Sequence, residues 1–356
     1  MLRIAHYTKE HYSTLFNPQT GFFARIEDVG YPEAKWAPNG PELIDISVTS
    51  WCDRDCSICY RSSTPRGYHM GVASYRRLLR EAAAIGVLQV ALGGGNPNQH
   101  PHFPELLKIA HKGFGIVPSY TTNGRGLVKP IIQASLQYCG AVAVSAHEPY
   151  VDLAPAVRIL VDSGIRTNVH FVLDSRSVAT AVAWLKEPPR ELDGINALIF
   201  LNYKPVGRNP DNTHLLRSSP QVGDFFQLAC SGKHPFRVGF DSCLVSGLAS
   251  YTPVDPIYFD ACEAARFSMF VSEDCLAFPC SFMTSGFRGV PVKQGHLQQI
   301  WQRSALFTRI REKLLGPNCT GCSRSNVCMG GCPVFRGINI CDLGARTDGC
   351  DLAATV

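Results

Sequence analysis

Between positions 43 and 203 the chain repeats one pattern: a short strand-like run, a helix-like stretch, then another run. Residues 43–48 alternate apolar and polar side chains as a strand does. Val72, Tyr75, Leu78, Leu79 and Ala82 then recur at helical spacing ahead of an apolar run at 87–92. The same order returns four more times, with helical patterns at 104–113, 128–139, 154–163 and 178–186. The runs after them lie at 115–121, 141–145, 167–173 and 197–203. Six strands with five helices between them predict an α/β fold around a parallel sheet. Right-handed crossovers curl such a sheet toward a barrel, and six strands leave it open, as a (β/α)6 partial barrel. Ligands of α/β folds bind at the carboxyl ends of the strands, so chemistry is expected in the loops there.

The loop after the first strand holds Cys52, Cys56 and Cys59, at spacing C-x3-C-x2-C. Three thiolates can ligate three irons of a cubic iron–sulfur cluster and leave the fourth iron without a protein ligand. A cluster that only carries electrons takes four cysteines. An open iron therefore implies that another molecule binds there. On these three residues alone, a three-cysteine zinc site is the alternative.

The chain has fifteen cysteines, three of them at 52–59 and ten between 243 and 350. The start, Met1-Leu2-Arg3-Ile4-Ala5-His6, has no apolar signal-peptide core, and no run of eighteen apolar residues appears. A cytoplasmic protein without membrane spans is expected, in which so many thiols read as metal ligands, in two regions, and not as disulfides. The formal net charge of +5 is small for 356 residues, and the lysines and arginines are scattered. That argues against a nucleic-acid partner.

The cysteine triplet followed by Tyr60 resembles the signature of the radical SAM superfamily. The resemblance implies that the open iron binds S-adenosylmethionine and that an electron from the cluster releases a 5′-deoxyadenosyl radical, which takes a hydrogen atom from substrate. Further stations resemble the family in the same order. Gly94-Gly95-Asn96-Pro97 follows strand two, with His100-Pro101 behind it. Asn96 stands where the family usually has Glu; its amide oxygen can accept from an ammonium but carries no charge. Thr121-Thr122-Asn123-Gly124 ends strand three, Ser145 closes strand four, and Asn168 and His170 lie on strand five. Lys204-Pro205-Val206-Gly207-Arg208 follows strand six. By resemblance, Tyr60, Gly94, Gly95, Asn96, Pro97, Asn123, Ser145, Asn168 and Arg208 are the expected cofactor-binding residues. His170 reads equally well as a hydrogen-bonded core histidine.

The carboxyl-terminal cysteines resemble the SPASM domain, an extension of some radical SAM enzymes that holds two auxiliary [4Fe–4S] clusters. Cys262 to Cys280 matches its first part, with Cys275 where a glycine usually stands, and Cys319-x2-Cys322-x5-Cys328-x3-Cys332 with Cys350 matches the rest. The resemblance implies that Cys262, Cys280, Cys332 and Cys243 hold one auxiliary cluster and that Cys319, Cys322, Cys328 and Cys350 hold the other. Cys341 competes with Cys350. Cys139 and Cys230 read as buried small hydrophobes. The expected organisation is an amino-terminal extension (1–42), the barrel (43–208), a bridge (209–242) and the auxiliary-cluster domain (243–356).

The function that the resemblance implies is oxidative modification of a peptide or protein, by cross-linking or side-chain oxidation. An external electron donor of flavodoxin or ferredoxin type would serve it, and a separate protein would bind the leader of the substrate. The alternative is dehydrogenation or rearrangement of a small molecule such as a sugar, aminocyclitol or nucleoside. Cys275 is a conceivable hydrogen donor to a substrate radical.

Overall fold

The computed structural model describes residues 2–341 except 254, 316–318 and 320. Strands β4 (Leu43–Thr49), β5 (Gln89–Gly94), β6 (Val117–Thr122), β7 (Val142–Ala146), β8 (Thr167–Leu173) and β9 (Ala197–Asn202) follow an antiparallel sheet of β1 (Arg3–Tyr7), β2 (Tyr12–Phe16) and β3 (Phe23–Glu27). β4 to β9 pair in sequence order and in parallel. Helices α1 (Val72–Ala84), α2 (Phe103–Lys108), α3 (Lys129–Tyr138), α4 (Leu153–Asp162) and α5 (Val178–Lys186) make the five connections. A π-helical turn, Ile109–Gly113, extends α2. This is the α/β architecture expected of the alternation.

The alternation also decides which side chains face which way. Ile44, Ile46, Val48, Val90, Leu92, Val169, Phe171, Leu198 and Phe200 lie in the core under the helices. Their neighbours Asp45, Ser119, Thr121, Ser145, Asn168 and His170 are only partly covered. They face the concave side of the sheet, which is therefore lined with polar groups. Thr121 and His170 meet there across the intervening β7, with Oγ1 and Nδ1 3.4 Å apart.

The sheet runs through the expected domain boundaries without a break. After α6 (Pro220–Ala229), β10 (Arg237–Phe240) extends it beside β9. Beyond α7 (Val245–Tyr251), β11 (Ser268–Val271) pairs in parallel with β4, and β12 (Leu276–Phe278) and β13 (Val290–Pro291) follow antiparallel. Helices α8 (Leu297–Arg303), α9 (Ala305–Leu315) and α10 (Ser325–Cys328) complete the described chain. Arg25 of β3 ties the amino-terminal sheet to this seam: its guanidinium meets Glu42 at 2.8 Å, Asp260 at 2.9 Å and the Phe267 ring at 3.5 Å. Burial lifts the Glu42 carboxyl to a pKa of about 7 against the opposing pull of Arg25. Among the described residues, no helix is long and apolar enough to cross a membrane.

Candidate active site

The three-cysteine loop leaves the carboxyl end of β4. Cys52 is buried, and Cys56 and Cys59 are half-covered. Two backbone bonds set the turn: Cys59 N–H donates to Cys56 O at 3.3 Å, and Cys52 N–H to Thr64 O at 3.1 Å. The thiols lie near enough to influence one another. Burial raises Cys52 and Cys56, with Cys59 adding to both, while Arg54 opposes it at each. Two donors point at the Cys52 sulfur: Arg54 N–H at 3.4 Å and Asn123 Nδ2 at 3.7 Å. Donors to sulfur stabilise thiolate and tune an iron–sulfur centre. Three soft ligands with such support fit a cluster of this kind.

The glycine motif holds the loop in place. Gly95 N–H donates to Thr49 O at 2.6 Å and Asn96 N–H to Trp51 O at 2.9 Å. A Cβ on Gly95 would overlap the Trp51 carbonyl, and one on Gly94 (φ +113°) the Thr49 carbonyl. Asn96 is 1% exposed and both ends of its carboxamide are engaged. Oδ1 accepts from Thr122 Oγ1 at 3.2 Å and from Asn123 N–H at 3.1 Å, and Nδ2 donates to Arg125 O at 3.2 Å. Asn96 thus orients the loop after β6, whose Asn123 reaches Cys52 and the Asp53 carboxylate (2.9 Å). Pro97 opens the short 3-10 turn that follows.

Gly207 and Arg208 brace the loop from its other side. Arg208 N–H donates to Cys59 O at 2.9 Å; its guanidinium bonds to Asp55, to Cys56 O at 3.1 Å and to Ser63 O at 2.6 Å. Gly207 (φ +83°) has no room for a Cβ against Cys59 O. Tyr60 packs on Phe282, with ring centroids 4.7 Å apart, and burial pushes its phenol up to about 12.

Ser145 and His170 are register partners on the concave face. Burial holds His170 neutral, with its pKa lowered to about 4. Asn168 does not belong with them. It lies five residues below the carboxyl end of β8, about 16 Å along the strand, and its Oδ1 accepts from Asn196 Nδ2 at 2.8 Å. Its carboxamide oxygen is engaged with Asn196, below the mouth of the barrel.

Several residues at this mouth were not singled out by the sequence. Asp152 bridges Arg54 (2.7 Å) and Arg125 (3.0 Å) and so joins the three-cysteine loop to the loops after β6 and β7. A cavity of about 420 Å³ opens beside it, lined among others by Arg54, Arg125, His147, Tyr150, Phe171 and Arg176. Burial, helped by Arg54, lowers His147 to about 4. Asp45 points into the barrel with its carboxyl raised to about 7 by burial and by Glu263. The alternation around Asp45 and the position of Arg125 after the Asn-Gly pair were the only signals available.

Two further thiol groups lie in the carboxyl-terminal region. Cys262 and Cys332 are buried, and Cys243 and Cys280 beside them are half-covered. Burial raises each of them; Cys332 adds to the rise at the other three and Cys262 to that at Cys243. Cys319, Cys322, Cys328 and Cys341 form the second group: Cys328 feels the other three, and Cys319 feels Cys322 and Cys341. Cys350 lies outside the described residues. Cys275 joins neither group. It sits at positive φ (61°) in the β11–β12 turn, against Ser74 and Arg77 of α1 on the convex side. That places its thiol away from the concave face of the sheet. Among the described residues, no three His, Cys, Asp or Glu side chains converge closely enough to hold a single metal ion.

Residues 46–172 match the family model of the Radical SAM superfamily. Mycofactocin maturase MftC of Mycobacterium tuberculosis is 24% identical over 331 residues, 83% of this chain and 78% of that protein. GTP 3′,8-cyclase of Chlorobaculum tepidum is 34% identical over 85 residues, 23% of this chain and 26% of that protein. The crystal structure of Streptococcus suis SuiB bound to S-adenosylmethionine has a TM-score of 0.66 at 18% identity, covering 87% of this chain and 78% of that one. SuiB bound to its precursor peptide SuiA gives 0.67 at 17% identity, covering 87% and 76%. An 87% share reaches beyond the six-stranded barrel into the cysteine-rich region. The family model lies over β4 through β8 and includes the three-cysteine loop, so this part of the chain carries a radical SAM domain.

Proposed function

We propose that this enzyme oxidatively modifies a peptide or protein, forming a cross-link or oxidising a side chain, with S-adenosylmethionine and three [4Fe–4S] clusters. One observation carries the reading: a single chain gathers three separate thiol groups. Its full-length relatives bear maturase and precursor-peptide names. The chemistry supplied at the first centre is hydrogen-atom abstraction. Cys52, Cys56 and Cys59 hold that centre, Asn123 and the Arg54 N–H donate to the Cys52 thiolate, and Arg208 fixes the loop. Tyr60, Gly94, Gly95, Asn96 and Pro97 shape the wall against which S-adenosylmethionine lies. Thr121, Ser145 and neutral His170 offer hydrogen bonds inside the barrel without adding charge. Cys243, Cys262, Cys280 and Cys332 hold one auxiliary cluster; Cys319, Cys322, Cys328 and Cys341 hold the other.

Such an oxidation removes two electrons from the substrate, and the auxiliary centres give the second one a destination. The remaining partners are a one-electron donor of flavodoxin or ferredoxin type and a separate leader-binding protein. A second reading, action on a nucleotide or other small molecule, is favoured only by the short match to GTP 3′,8-cyclase. The test is anaerobic turnover of the reconstituted enzyme with S-adenosylmethionine, reductant and a candidate precursor peptide, read by mass spectrometry. A peptide product lighter by two hydrogen atoms supports the proposal. Formation of 5′-deoxyadenosine coupled only to loss of a nucleotide or sugar supports the second reading.

A further inference from the structure

Lys204 follows β9 and lies between the two thiol-bearing regions, its side chain 2% exposed. The ammonium bonds to the Asp241 carboxylate at 2.6 Å and lies 4.3 Å from the centre of the Phe282 ring, which packs on Tyr60 beside the first thiol loop. Asp241 lies two residues before Cys243 and Phe282 two residues after Cys280, so the ammonium sits between the segments that carry these two thiols. The second Asp241 oxygen accepts from Asn202 N–H at 3.2 Å, which fixes the carboxylate toward β9.

A buried ammonium is costly to keep out of water, and an apolar side chain of the same length could fill the space. We propose that Lys204 sets the charge at the centre held by Cys243, Cys262, Cys280 and Cys332, favouring its reduced form and so raising its reduction potential. This rests on the reading that those four thiols hold an iron–sulfur cluster. Taking up one electron adds one negative charge to such a centre, and a fixed cation at short range stabilises that state more than the oxidised one. Its partner Asp241 carries the opposite charge and acts in the opposite sense. Lys204 is a positioning residue in this sense: it touches no reacting atom.

The experiment is an EPR-monitored redox titration of the full chain, reconstituted anaerobically, with dithionite as the electron source. Lys204→Met is expected to lower the midpoint potential of this centre, and Lys204→Arg to keep it near the parent value. Asp241→Asn, which leaves the ammonium unopposed, is expected to raise it. A general loosening of the fold would move both charge-changing variants the same way, so opposite signs are the signature of the proposal. If Lys204→Met does not fold, Asp241→Asn alone decides, since a potential that stays or falls overturns the proposal. Iron content separates the two readings. A parent protein without auxiliary iron overturns the cluster assignment and this proposal with it; full iron with unmoved potentials overturns this proposal alone.

Discussion

The Gly95 backbone lies directly against the Trp51 carbonyl, with no room between them for a side chain. Trp51 immediately precedes Cys52, so the contact sets where the first thiol points. Gly95→Ala must push the two segments apart. The expected result is a loss of stability of about 1–3 kcal/mol, the cost of forced overpacking. The first cluster should fail to load while the auxiliary iron stays. Iron analysis and thermal unfolding check both parts, and a variant with full iron and unchanged Tm would show that the loop tolerates displacement.

Asn96 makes three hydrogen bonds inside the protein. Asn96→Ala leaves the Asn123 N–H and the Thr122 hydroxyl without this acceptor, at about 1–3 kcal/mol for a buried group, while the Arg125 carbonyl keeps Asn98. The loss should therefore appear in chemical denaturation. Weaker S-adenosylmethionine binding at full stability would instead make Asn96 a direct ligand.

The Arg208 guanidinium acts as a fork on three acceptors of the loop. Lys carries the same charge but not the fork. Arg208→Lys should bind iron initially and then lose the first cluster faster than the parent when a chelator is added. Equal rates would mean that Gly207 and the Arg208 N–H alone hold the loop.

Cys341 stands with Cys319, Cys322 and Cys328. Cys341→Ala should reduce iron from about twelve to about eight per chain, whereas Cys350→Ala should keep it. The reverse outcome would return the fourth position to Cys350.

His147 and His170 are both held near pKa 4, chiefly by burial. Their folded-state values lie below the ordinary value of about 6.5. The unfolded chain therefore takes up protons first as pH falls. Their contribution to stability is complete above about pH 6.5 and is lost progressively toward pH 4. His170→Gln should flatten the fall in denaturation midpoint between pH 6.5 and pH 4; an unaltered slope would mean that other groups set it.

The strand–helix alternation was legible because outward positions such as Ile44, Val90 and Val169 must be apolar to meet the helices. It could place Asn168 on a strand and on a face, but height above the barrel floor depends on the stagger between strands, which no single strand records. Cys275 stood out only as a spare thiol at a glycine position, and spacing does not reveal that its turn places the thiol against Arg77. The four-residue strand β11 is too short for a periodic signal. The hydrogen-bond chain from Asn96 through Asn123 to Cys52 was hidden because each residue reads singly as turn-forming.

The pairing of β11 with β4 places a late strand beside the first strand of the barrel. On a ribosome, more than half of the chain must emerge before β4 gains that neighbour. Until then Leu43–Thr49 is a sheet edge next to an open thiol loop, the kind of edge that draws foreign strands. Assembly of the first metal centre is thus tied in time to arrival of the carboxyl-terminal part. Truncations before Ser268 should accumulate as insoluble, iron-free protein, even though the whole six-stranded barrel is encoded in them.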